Sequence, residues 1–542
     1  MALQGLSDAD LGARLYLGLY LSKNHPLTLH IDHPTRDWEM ILSFIRPHTQ
    51  RIRSITIRRP LMKSNEELEP EDPSLYTLLD SLGHLPNLEE LRLDGMYRMF
   101  PKEWGVLRNM PRLKSVLGES LPFHAVMDNE LRQLQELNTN STVNRWFMVM
   151  ARFPHLTHLW LDDADDVAEY GWSIETRRED SLRDDIDQSL PPPLEKLDLL
   201  HYQKHHDHRI ADLIRLCPNI TRLTVSVSWK LLSQLMSTIG ALPNLMELSL
   251  YIKYVSPAMN KFDLVTAEAL PKLRLFSISF STYDVRSLPV DEPPSQAEKT
   301  AKLLHIFNGS RFLEELILHA CQDHSFPFAL VPTLPGLRTL HLDLTCLAKE
   351  TPRIVSQSME NLLLFLPSEF MPLAASQLDC PNLVAIQFFE DLSSTIGAAS
   401  TVTFDSSAYQ NLFSITWGFR QLRWEVTSLQ SLKLITFTAA SVRISQEFLL
   451  HLILYPKHCP TLEQIEFQAY PEWDLLFLML ERRNFLQNGG VTSIRTIGLP
   501  TTIGLILREP LLDLLRGRYA KRLSNYDISM AGLAEIYFDR NL

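Results

Sequence analysis

The sequence predicts an α/β solenoid, in which short parallel strands stack side by side and an outer helix or loop returns each one to the next. Three observations carry that expectation. A pattern of apolar-x-x-apolar-x-apolar recurs along most of the chain; its copies commonly follow a Pro or a Cys-Pro; and helix-like stretches fill many of the gaps between them.

LPNLEELRLDG (85–95) shows the pattern best. Leu91 and Leu93 alternate like a short buried strand, and Leu88 stands three residues earlier, as a chain turning into that strand would place it. RIRSITI (51–57) precedes it, and FPHLTHLWL (153–161), PPPLEKLDL (191–199), CPNITRLTV (217–225) and LPNLMELSL (242–250) follow. Further copies are LPKLRLFSI (270–278), SRFLEELIL (310–318), LPGLRTLHL (334–342), CPNLVAIQF (380–388), QNLFSITW (410–417), LQSLKLITF (429–437), CPTLEQIEF (459–467) and TSIRTIGL (492–499). MPRLKSVLG (110–118) is a defective copy, with Gly118 where the last apolar residue belongs.

This is the signature of a leucine-rich repeat of the longer α/β type. WEMILSFIRPH (38–48), SLYTLLDSLGHL (74–85), WKLLSQLMSTIGAL (229–242) and QAEKTAKLLHIF (296–307) read as the outer helices. The expected shape is a horseshoe or arc with a parallel inner sheet, outer helices and irregular insertions. One elongated domain spans 1–542: a capping unit at 1–57, divergent repeats over 58–500 with insertions near 162–190 and 285–298, and a second cap at 501–542. The 46 residues between Leu337 and Leu383 call for an insertion or a degenerate copy.

Composition narrows the function. The chain has 542 residues, is 45% hydrophobic and 21% charged, and carries a net charge of −12. An acidic balance with no dense Lys/Arg block argues against nucleic acid and anionic membrane as partners. The amino terminus does not read as a signal peptide, and the apolar runs fall short of a membrane span. Five scattered cysteines without a CxxC argue against a disulfide framework or structural zinc and for a reducing compartment, cytoplasmic or nuclear. Cys217, Cys380 and Cys459 each precede Pro at the same repeat position, which predicts a buried structural role.

No GxSxG, P-loop, HExxH or clustered dinucleotide glycines occur, so the expectation is a non-enzyme with no cofactor and no metal. The one dense ligand cluster, His201, His205, His206, Asp207 and His208, reads as a solvated loop. What remains is the outward row of each strand. A solvated sheet face should be uniformly polar, yet this one presents Trp160, Tyr251, Ile317 and Phe389, residue types that anchor protein interfaces. Either they bind a protein partner, or they pack under an inserted loop or against one another. Trp160 and Tyr251 are the expected anchors, with Asp162, Asp198, His341 and Asp343 as flanking polar contacts.

The whole chain resembles the fungal F-box proteins with a divergent leucine-rich-repeat substrate domain, particularly those of mushroom-forming fungi. The likeness lies in LYLGLYLSKNHPLTLHID (15–32) with ILSFIRPHTQRIRSITI (41–57), in the CPNL and CPTL turns, and in LFLMLERRNF (476–485) with VTSIRTIGLP (491–500). The resemblance implies substrate selection for a cullin-type ubiquitin ligase. The F-box itself is missing from this chain, so a ligase adaptor is an expected partner only if an upstream F-box is encoded. A stand-alone repeat scaffold unrelated to ubiquitin is the alternative.

Overall fold

The computed structural model describes residues 16–32, 38–58, 75–94, 101–122, 131–140, 153–162, 193–200, 210–253, 270, 272–280, 311–321, 328–344, 354–366, 378–390, 401–403, 409–419, 423–425, 429–485, 490–500, 513–521 and 535–538. The chain divides into two compact units, Met1–Lys253 and Tyr254–Leu542. Each is a leucine-rich-repeat stack on a parallel sheet, the α/β architecture expected.

In the amino-terminal unit nine strands pair in chain order: β1 (Leu27–Asp32), β2 (Ile52–Arg58), β3 (Glu90–Asp94), β4 (Ser115–Pro122), β5 (Glu136–Asn140), β6 (His158–Asp162), β7 (Lys196–Leu200), β8 (Arg222–Ser228) and β9 (Glu247–Lys253). All are parallel, as they must be when every strand is followed by a return leg rather than a hairpin. The return legs include helices α1 (Trp38–Ile45), α2 (Leu75–Leu82), α3 (Ile210–Arg215) and α4 (Trp229–Gly240), and a 3-10 stretch at Pro101–Asn109. Helix α4 turns Leu232, Leu235, Met236 and Ile239 inward, a spacing of three and four that puts one apolar stripe on the sheet.

The carboxy-terminal unit continues with β10 (Leu275–Phe280), β11 (Glu315–Cys321), β12 (Thr339–Leu344), β13 (Ile354–Val355), β14 (Asn361–Leu366), β15 (Leu378–Asp379), β16 (Ala385–Glu390), β17 (Thr401–Thr403), β18 (Ser414–Gly418), β19 (Arg423–Glu425), β20 (Leu434–Phe437), β21 (Gln464–Phe467), β22 (Thr496–Leu499) and β23 (Glu535–Phe538). Strands β13 with β15, and β17 with β19, form two small parallel pairs; the rest make one parallel sheet in chain order. Helices α5 (Val442–Leu454) and α6 (Trp473–Phe485) pack together on its outer side. Strand β23 lies inside the segment expected to be a terminal cap, which therefore adds a strand to the sheet.

The Pro-Asn of each repeat has a local job. In LPNL the Leu88 N–H donates to the Leu85 carbonyl at 3.2 Å, and in CPNI the Ile220 N–H donates to the Cys217 carbonyl at 3.3 Å. Pro thus fills the second position of a tight turn, where its fixed φ is already correct. The Asn then stitches neighbours: Asn87 Nδ2 donates to the Gln50 carbonyl at 2.7 Å, and Asn382 Nδ2 to the Gln357 carbonyl at 2.8 Å. The residue before each Pro points inward, and Cys217, Cys380 and Cys459 are all buried, as expected. Burial pushes their thiols up to about 12, 11 and 12 respectively, so they stay protonated and unreactive.

Leu88, Leu91 and Leu93 are completely buried, and the same three positions are buried in copy after copy. The core changes character along the carboxy-terminal unit, where Phe388, Trp417, Phe419, Phe437 and Phe467 replace aliphatic residues. The long intervals also find their explanation. Strand β14, with Met359, Leu362 and Leu364 buried, is a degenerate copy that splits the 46-residue gap into 22 and 24. Strand β5, with Leu131, Leu134, Leu137 and buried Thr139, is another. The defective copy at Gly118 is rescued by a bulge: Val116 pairs with Leu137 but Leu121 pairs with Thr139, so three extra residues of β4 loop out. The predicted helix at 296–307, the insertions near 162–190 (beyond Asp162) and 285–298, and the His201–His208 cluster lie outside the described residues.

Candidate functional site

Side chains alternate along each strand, so the face opposite the core is set by register. In the amino-terminal unit Trp160 pairs with Asn138 on one side and Asp198 on the other. Trp160 is half-buried, and its ring lies against His158 with centroids 3.4 Å apart. His158 Nε2 and Asp198 Oδ2 are 2.9 Å apart, and the two residues are only 5% and 2% exposed. The other carboxylate oxygen of Asp198 has no hydrogen-bond partner, and Arg222 Nε stands 3.9 Å from it.

Asp198 therefore occupies the expected row but corrects the expectation of a solvent-facing contact. A cross-strand imidazole–carboxylate pair takes it out of water. Asp162 is held in register between Asn140 and Leu200. Tyr251, 45% exposed, pairs with Ser226 at the far edge of the unit. Three inter-strand steps separate it from Trp160, about 14 Å at ~4.8 Å per step. The two expected anchors do not form one patch.

The carboxy-terminal unit carries a more coherent surface. His319 and His341 meet edge to face with ring centroids 4.3 Å apart. His341 stacks on Phe365 at 5.7 Å, and Phe365 on Phe389 at 4.6 Å with planes 15° apart. Four rings from β11, β12, β14 and β16 thus line up across the sheet, each partly exposed. The row stops at Gly418 because there is no room for another side chain. A Cβ there would lie 2.8 Å from the Phe388 carbonyl oxygen and 3.0 Å from Phe389 Cδ1. Ile317 and Leu363 border the stack, and Asp343 sits beside it, paired in register with Phe365.

Burial lowers the His341 imidazole to about 4, and the neighbouring His319 pushes the same way; its Nε2 is buried without a hydrogen-bond partner. His319 is also lowered by burial, with Asp343 opposing. Both rings are neutral at physiological pH. The folded unit then binds fewer protons than the unfolded chain between the ordinary histidine value of ~6.5 and ~4, so stability is lost as pH falls through that window. Urea unfolding at stepped pH should show the midpoint of the carboxy-terminal unit dropping below pH 6.5. His341→Gln should flatten that slope, and an unchanged slope would mean that His341 titrates normally in the fold.

Of the sequence-predicted residues, the structure brings His341 and Asp343 together on one face. Phe365, central to the stack, was missed because NLLLFL reads as an unbroken apolar run. The 22- and 24-residue spacing would have found it. Among the described residues no group of three or more His, Cys, Asp or Glu could hold a metal ion, and no helix is long and apolar enough to cross a membrane. No protein-family model matches the chain, and no curated protein matches it.

Proposed function

We propose that the chain is a non-enzymatic protein-recognition module that presents the outward face of its parallel sheets to a partner protein. The observation that carries this reading is the four-ring stack of His319, His341, Phe365 and Phe389 on the face turned away from the core. Rings held by their neighbours lose little side-chain freedom on binding, which makes them efficient anchors. The sequence resemblance adds a role, substrate selection for a cullin-type ubiquitin ligase, with an adaptor as partner if an upstream F-box is encoded; the scattered cysteines favour a cytoplasmic or nuclear setting. The alternative is a stand-alone scaffold.

Affinity capture from a lysate with the intact chain, Phe365→Ala and Trp160→Ala tests it. Phe365→Ala should weaken capture of the same proteins about tenfold or more. Its melting temperature should fall by only a few degrees, since a stacked pair contributes ~0.5–1.5 kcal/mol. Trp160→Ala should weaken capture only where the partner reaches the amino-terminal unit. Ligase subunits among the captured proteins would favour the ligase reading, and their absence the scaffold. Capture unaffected by either substitution would sink the assignment of these faces.

A further inference from the structure

We infer that His451 and His458 form a site for a divalent first-row transition ion that takes its ligands at right angles, copper(II) or nickel(II). The inference is independent of the recognition role proposed above. Seven residues of continuous helix would hold the two histidines about 10 Å apart. The end of α5 brings them together instead. The helix stops at Leu454, the Tyr455 N–H donates to the His451 carbonyl at 2.8 Å, and the His458 N–H donates to the Tyr455 carbonyl at 3.0 Å. The chain folds back through these two bonds, and His451 Nε2 meets His458 Nδ1 at 2.8 Å. Two features fix the pair. From the buried side, Arg483 Nη1 donates to the His458 carbonyl at 2.9 Å. From the solvent side, Tyr455 lays its ring against both imidazoles, with centroids 5.0 Å from His451 and 5.3 Å from His458. Both histidines are half-buried, so water reaches them.

One nitrogen of this contact carries a hydrogen and the other accepts it. Moving that proton to the far nitrogen of its own ring leaves two lone pairs facing each other and the net charge unchanged. Such a pair repels itself unless a cation lies beside it, which is the arrangement of two metal ligands. The separation selects the geometry. Imidazole nitrogen binds zinc at about 2.0–2.1 Å, and at that length two nitrogens stand about 2.9 Å apart at a right angle and about 3.3 Å apart at the tetrahedral angle. The observed 2.8 Å fits a square-planar or octahedral ion once the rings turn so that both lone pairs aim at it. Tetrahedral zinc would need the nitrogens to part by about 0.5 Å. Among the described residues no third His, Cys, Asp or Glu completes the set, and Cys459, the next residue, is buried, so water would fill the remaining positions. Copper binds nitrogen sites more tightly than nickel or zinc in general, so substitution, not the ranking of metals, has to identify this one.

The test uses the full chain carrying His201→Gln, His205→Gln, His206→Gln and His208→Gln, which removes the one dense histidine cluster of the sequence. Titration with copper(II) chloride, followed by electron paramagnetic resonance, should show one ion held by two nitrogens. His451→Gln and His458→Gln should each weaken that binding about tenfold or more. Nickel(II) chloride at 100 times its Kd should lower the unfolding constant of the carboxy-terminal unit about 10- to 100-fold, the smaller figure allowing for metal held by unfolded histidines. Either substitution should abolish the nickel effect. Copper bound with unchanged affinity in both variants, or through a single nitrogen in the parent chain, would mark an adventitious ion and overturn the inference. A nickel effect that is absent from the parent chain, or that survives both substitutions, would do the same. The nitrogen count and the nickel shift of the parent chain decide the matter even where a variant folds poorly.

Discussion

Replacing Arg483 with Ala should destabilise the carboxy-terminal unit by about 3–5 kcal/mol, a loss visible as an early denaturant midpoint. Arg483 projects from α6 and is only 3% exposed. Its Nη1 donates to the Pro456 carbonyl at 3.1 Å and the His458 carbonyl at 2.9 Å, and its Nη2 to the Cys459 carbonyl. Burial lowers the guanidinium to about 10, which still leaves it charged at neutral pH. One side chain thus satisfies three carbonyls of the turn that leads from α5 into β21. That turn contains Cys459 at φ +48°, a left-handed conformation that a side chain normally avoids. Alanine would leave the carbonyls without their donor and open a void beside a strained residue. Arg483→Lys keeps the charge but not the planar fork, so it should recover part of the loss. The fluorescence of Trp417, fully buried in the same unit, offers the readout. A cost under ~1 kcal/mol would show that the turn holds itself.

Asp198→Ala should destabilise the amino-terminal unit by about 2–3 kcal/mol. The substitution removes the partner of a buried imidazole 2.9 Å away and strands His158 Nε2 without water to replace it. Asp198→Asn retains an oxygen and should lose less. In a double-mutant cycle with His158→Ala, the coupling between the two positions should reach ~1 kcal/mol or more, since they share one buried contact. An exposed binding contact would behave in the opposite way, with stability unchanged and capture reduced. The cycle therefore separates the structural role of Asp198 from a role in binding.

The repeats were legible because period-2 alternation places Leu91 and Leu93 on one face whatever the rest of the chain does. Three copies escaped for identifiable reasons. In β5 the last inward residue is Thr139, which is buried without being apolar. In β14 no Pro announces the turn, and both faces of the strand carry apolar residues. In β23 too few flanking signals remain. Of the candidate site, His341 and Asp343 were placed in the right rows by sequence alone. The burial of Asp198 was not, because it depends on His158, one strand away in space and 40 residues away in the chain. Arg483 was hidden for a similar reason. In LERRNF it reads as one of two surface bases, and only the packing of α6 on the 456–459 turn decides which of them is inside.

The bulge that absorbs Gly118 bears on how the protein tolerates change. Three residues enter β4, and the next strand regains register two positions later. Each strand answers only to its immediate neighbours, so an error in length is repaired where it occurs and does not propagate along the sheet. Outward side chains are equally independent of the core, and most substitutions among them should shift stability by less than ~0.5 kcal/mol. Such a frame can lengthen its loops and recolour its exposed rows while the buried leucines stay as they are. Gly418 and the His158–Asp198 pair are the points where that freedom ends.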